Sequence, residues 1–112
     1  MVITGRILFQ DDAVPFSGAT ARVTVEDTTY ADLSAERVGS WTREDVAYPR
    51  DSEGIGFEIA FEPEPSPRRY TLRVIIDVDG DGRLGSGDYL NAAAVPLTGQ
   101  EPIDIRVKRV GP

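Results

Sequence analysis

Apolar and polar residues alternate with period two along most of the chain, interrupted by turn residues, and no long segment carries a helical period. Ile3, Gly5, Ile7 and Phe9 share one face while Thr4, Arg6 and Gln10 share the other, which predicts a half-buried strand ending at residues 10–12. From Ala21 onward, Val23 and Val25 point inward against Arg22, Thr24 and Glu26, and residues 27–31 prolong this second strand. Ile55, Phe57, Ile59 and Phe61 alternate with Gly56, Glu58, Ala60 and Glu62 to give the cleanest core strand. Pro63, Pro65 and Pro67 forbid its continuation, because proline has no N–H to give a strand ladder. Past that corner, Tyr70, Leu72, Val74 and Ile76 share a face, and Ile103, Ile105 and Val107 do the same in the closing segment.

Two segments are less decided. Val38 and Trp41 are three apart in the stretch 32–53, so a helical turn and an irregular edge strand both fit, with strand preferred. In DYLNAAAVPL, Ala92 to Ala94 tolerate a helix, and Pro96 ends either alternative. The count of candidate strands is seven, spaced as in an all-β sandwich. The predicted fold is therefore a single domain over residues 1–112: an all-β, antiparallel, seven-stranded Greek-key β-sandwich of the immunoglobulin or transthyretin type. At 112 residues the chain buries roughly 60 to 68 % of its unfolded surface, enough for a core.

Composition narrows the chemistry. Cysteine and histidine are both absent, which removes disulfides, a thiolate nucleophile, an imidazole base and the usual zinc ligands. The net charge of -7 repels phosphate backbones and leaves no footprint for nucleic acid. No basic leader with an apolar core opens the sequence, and no run is long enough to span a membrane as a helix. Glu58 and Glu62 lie on the outer face of one strand, where solvated carboxylates are the rule, and the serines have no histidine to activate them. Enzymatic activity is not expected. Tyr70, at the head of a core strand beyond the proline corner, suits a tyrosine corner, a structural hydrogen bond back to the backbone.

One stretch stands apart, DVDGDGRLGSGD at 77–88. Counted from Asp77, its aspartates occupy positions one, three, five and twelve of a twelve-residue calcium loop, and Gly82 occupies position six. Alternate carboxylates can converge on one hard cation, a glycine permits the sharp turn, and the carbonyl of Arg83 at position seven can point back as a ligand. Leu84 is expected to anchor the loop to the core, and Asp88 replaces the usual glutamate with a shorter arm. The plain alternative is a polar hairpin turn, for which Asp-Gly is well suited. Crowded carboxylates repel one another without a cation, so calcium is the preferred reading, with Asp77, Asp79, Asp81, Arg83 and Asp88 as ligands. Magnesium, which keeps its waters, fits less well.

The loop resembles the dockerin and EF-hand calcium signature. Those families flank their loops with helices, whereas this loop is preceded by a strand. Over most of its length the chain resembles the YbaY-like lipoproteins and the related type III secretion pilotins of the YscW kind. The matching pieces are ITGRILF, ARVTVEDTTYAD, FEIAFEPEPSPRRYTLRVII and IDIRVKRV. That resemblance implies a small β-sandwich of the bacterial envelope, periplasmic or extracellular, related to lipid-anchored proteins. This chain lacks a lipobox cysteine, and its aspartate loop is richer than the DGRL turn of those relatives. Two functions follow. The first is a non-enzymatic calcium-binding module in which the ion stabilises the loop between two core strands. The second is a pilotin-like domain that binds an extended peptide of an envelope protein on an exposed edge or in a cleft, with Trp41 and Tyr48 as candidate contacts.

Overall fold

The period-two segments all become strands in the computed structural model, which describes residues 1–29, 35–97 and 101–111. Eight strands follow in order: β1 (Val2–Phe9), β2 (Phe16–Asp27), β3 (Glu36–Tyr48), β4 (Ile55–Ala60), β5 (Tyr70–Asp77), β6 (Tyr89–Asn91), β7 (Val95–Pro96) and β8 (Ile103–Arg109). No helix occurs among the described residues. Of the inward sets expected from the alternation, Ile3 and Ile7, Val23 and Val25, Ile55, Phe57, Ile59 and Phe61, Leu72, Val74 and Ile76, and Ile105 and Val107 are buried, while Phe9, Tyr70 and Ile103 at the strand ends are half-buried against the core.

β2 begins at Phe16, ahead of the expected Ala21, because a bulge between Phe16 and Ala19 interrupts the alternation there. Gly18 has φ 67, a backbone conformation that costs glycine little. β2 ends at Asp27, and residues 30 and 31 of its expected extension lie outside the described residues. A second bulge explains the undecided segment around Trp41. Val25 pairs with Gly39 and Glu26 with Arg37, so Val38 is an extra residue in β3. The bulge lets Val38 and Trp41 both pack against the core although they are three apart in a strand. The alanine-rich stretch is not helical; it bends between the short strands β6 and β7.

The strand order is β3-β2-β5-β6-β8-β1-β4, with β7 pairing to β5 beside it. Pairs are antiparallel except β1 with β8, which run parallel, Gly5 opposite Ile103 and Phe9 opposite Val107. This corrects the seven-stranded antiparallel sandwich: the eight strands belong to one mixed sheet that curls until its two end strands approach each other. A Cβ built on Gly39 in β3 would lie 3.1 Å from Ile59 of β4 and 3.1 Å from Phe61 just beyond it, which places the seam of a nearly closed barrel there. One layer of strands wrapped about one core buries the same inward faces that two facing layers would, so the alternation suited either architecture. Gly5 makes room for the interior, since a Cβ there would meet the Ile103 carbonyl oxygen at 2.3 Å and the Phe57 ring at 2.6 Å. Tyr70 forms the expected corner: its hydroxyl accepts the N–H of Glu64 at 2.9 Å, and its ring meets Phe61 edge-on.

Candidate metal centre

The aspartate-rich stretch joins β5 to β6, which pair antiparallel through Ile76 opposite Tyr89 and Ile75 opposite Leu90. It is thus a hairpin connection between strands of the core. Asp77 is the last residue of β5, and Asp88 precedes the fully buried Tyr89. Both acids are buried, Asp77 at 6 % exposure and Asp88 at 1 %. Buried carboxylates need hydrogen-bond donors, and here the loop backbone supplies them. Asp77 Oδ1 accepts the N–H of Gly80 at 3.0 Å and Oδ2 that of Gly82 at 2.9 Å. Asp88 Oδ1 accepts the N–H of Val78 at 2.8 Å and Oδ2 that of Gly85 at 2.9 Å. Gly82, at φ 76, makes the turn that the motif requires of it.

Asp79 and Asp81 are exposed and complete the cluster. Asp79 Oδ1 accepts from the Asp81 N–H at 3.4 Å, and Asp81 Oδ1 from the Arg83 N–H at 2.8 Å. One carboxylate oxygen from each of Asp77, Asp79, Asp81 and Asp88 lies within 4.8 Å of every other. The donor set is all hard oxygen, the kind that hard divalent cations take.

The charges of the cluster act on one another. Burial pushes the Asp77 carboxyl up, but the N–H of Gly82, contact with Asp79, the N–H of Gly80 and the Arg22 guanidinium outweigh it and hold the group below the usual carboxylate range. Asp79 moves the other way: its contact with Asp77, partial desolvation and the adjoining Asp81 raise it above that range, despite the N–H it accepts from Asp81. Arg22 was not foreseeable as a member of this site. It comes from β2, whose Thr20 pairs with Asp77 and whose Arg22 pairs with Ile75, a register invisible to local spacing.

The structure brings the four predicted aspartates together and places Arg83 in the same loop, exposed, with its N–H turned to Asp81. Leu84 does not anchor the loop; it is 43 % exposed. Anchoring falls instead to backbone bonds with the residue after β8, Gly87 N–H to the Val110 carbonyl at 2.9 Å and Val110 N–H to the Asp88 carbonyl at 2.8 Å. Trp41 and Tyr48 are half-buried and belong to different ring groups. Trp41 packs on Phe57 across 6.1 Å, while Tyr48 packs on Phe9 at 5.1 Å and Phe16 at 6.4 Å. They form no common platform.

Among solved structures, the chain is similar to an alternative pilotin from the type II secretion system of Vibrio cholerae, with a TM-score of 0.73. The likeness covers 100 % of this chain and 98 % of that one at 17 % sequence identity. At that identity the likeness is one of fold, and the chain has a pilotin-like fold. Neither the protein-family models nor the curated proteins give a match. Among the described residues, no helix is long and apolar enough to cross a membrane.

Proposed function

We propose that this protein is a non-enzymatic, pilotin-like module that binds a protein partner of the bacterial envelope. The observation that carries this reading is the agreement of fold with a secretion-system pilotin over essentially the full length of both chains. A small β domain of this kind offers strand edges for an extended segment, and β3 and β4 approach at the seam without pairing to each other. Trp41 lies beside that seam on Phe57, so its fluorescence is the natural reporter of occupancy. Affinity capture from envelope extract with the folded protein should recover one partner in stoichiometric amount and shift the Trp41 emission. Recovery of only those proteins that a heat-denatured bait also retains would end the reading.

A second reading is compatible with the first and rests on a different observation, the convergence of four carboxylate oxygens within 4.8 Å in the order of a calcium loop. In it, calcium is held by Asp77, Asp79, Asp81 and Asp88 with the Arg83 carbonyl as the backbone ligand. The ion relieves the repulsion that raises Asp79 and ties β5 to β6. Binding to the native state alone stabilises it by about 2.7 kcal/mol at a hundredfold excess over the dissociation constant. The melting temperature should therefore rise clearly in millimolar calcium relative to chelator, and Asp79→Ala should lose most of that rise. Identical melts in calcium and chelator would remove the ion from the account.

A further inference from the structure

The outer face of the sheet carries a concentration of positive charge that neither functional reading uses. Arg22 of β2, Arg37 of β3 and Arg73 of β5 line one cleft of about 210 Å³, with Thr24, Glu26, Ile75 and, from the aspartate loop, Gly82. The register assembles it: Arg22 lies opposite Ile75, Thr24 opposite Arg73, and Glu26 opposite Arg37. A balanced cross-strand ladder would pair each cation with an acid. Here Glu26 is the one acid lining the cleft, its ion pair among the described residues being with Arg73 at the long distance of 3.9 Å, while Arg22 also acts on Asp77 of the neighbouring loop. Arg22 and Arg37 make no salt bridge within 4.0 Å among the described residues.

Thr24 supplies an independent observation. It lines the same cleft from the outer face of the sheet, 6 % exposed as a residue, with its unbonded hydroxyl open to solvent rather than buried. Three cationic forks and a hydroxyl open to the cleft leave it rich in donors, with Glu26 within it and Asp77 beside it as the carboxylates. Such a lining is complementary to an oxyanion, because guanidinium N–H groups match a carboxylate or phosphate in bidentate geometry. The surroundings select the source. The protein carries a net charge of -7, and the exposed Asp79 and Asp81 belong to the loop whose Asp77 feels the Arg22 charge. A broad anionic bilayer would be repelled by that background, whereas a single acidic side chain can meet the arginines alone.

We infer that the Arg22–Arg37–Arg73 cleft is a docking site for an acidic side chain of the protein partner, its carboxylate held by the guanidiniums and the Thr24 hydroxyl. The inference rests on the partner-binding reading and adds to it the chemistry of the contact. The test uses a fluorescein-labelled octapeptide alternating Glu and Ser, with a Gln and Ser octapeptide as control, followed by anisotropy at low ionic strength in chelator. The acidic peptide should bind the wild-type protein and the control should not. The double variant Arg37→Gln/Arg73→Gln should bind roughly tenfold more weakly or worse with an unchanged melting temperature. Arg106→Gln/Arg109→Gln, which removes equal charge elsewhere, should bind as the wild type does. Absence of binding to the wild type, or equal weakening in both double variants, overturns the site. Anionic phosphatidylglycerol vesicles sedimenting the protein through these arginines while the peptide stays free would assign the cleft to lipid and overturn it as well. Capture from envelope extract separates the two readings: a partner retained by Arg37→Gln/Arg73→Gln leaves the module intact and defeats the cleft. Peptide binding by a wild-type protein that captures no partner keeps the cleft and defeats the module.

Discussion

At the scale of single residues, the four clustered aspartates divide into two kinds. Asp77 and Asp88 are buried and each accepts two backbone N–H groups, so the hairpin satisfies them from within. Asp79 is exposed and sits against Asp77, which raises its pKa. A raised carboxyl pKa means that ionisation disfavours the folded state, so the penalty grows as pH climbs from the ordinary value of 3.8 through the shifted one and is complete at neutral pH. Asp79→Asn should accordingly raise the melting temperature in chelator at pH 7, and the gain should vanish below pH 3.8, where both forms are uncharged. Paired melts across that pH range check this, and a variant less stable than the parent in chelator would refute it. Asp77, Asp51 and Asp27 are held low, so their contributions are present above 3.8 and disappear as pH falls through their depressed values. In Asp51, burial is outweighed by the Ala47 N–H and by Arg50 and Arg43; in Asp27, Thr29 contributes most to the lowering. The sequence spacing was enough to name the four aspartates. It could not disclose Arg22, which reaches the cluster through the β2–β5 register, nor that Leu84 would stay exposed while backbone bonds did the anchoring.

Among the elements, the strands were legible wherever one face meets the core and the other meets water. Ile55, Phe57 and Ile59 are buried while Gly56, Glu58 and Ala60 are exposed, as alternation requires. Bulges hid the rest. The extra residue at Val38 makes three-residue spacing in β3 resemble a helical turn, and Ser17-Gly18 breaks the pattern of β2 before its regular half begins. Two glycines in neighbouring strands separate a packing role from a permissive one. Gly5 of β1 lies under Phe57 and against the Ile103 carbonyl, whereas Gly56 of β4 has nothing within 4 Å of an added Cβ. Gly5→Ala should cost about 1 to 3 kcal/mol by overpacking. Gly56→Ala should stay within about 0.5 kcal/mol of the wild type. Denaturant unfolding of the pair measures both, and equal stabilities would show that β1 and β8 do not approach as closely as described.

Taken as a whole, the molecule departs from the sandwich that its strand spacing suggests because alternation fixes which side of a strand is buried and leaves its neighbours open. β1 could have paired within a meander; instead it lies between β4 and β8, parallel to the latter. Most pairings join distant parts of the chain, including β2 with β5 and β1 with both β4 and β8. Such a topology loses loop entropy before its contacts reward it, so folding should take milliseconds to seconds, and stopped-flow refolding monitored by Trp41 would detect a faster, locally driven process. The parallel seat of β8 has a consequence for how the protein is made. Gly5 to Phe9 wait for Ile103 to Val107, so β1 gains its second neighbour only after every other strand of the sheet has been made.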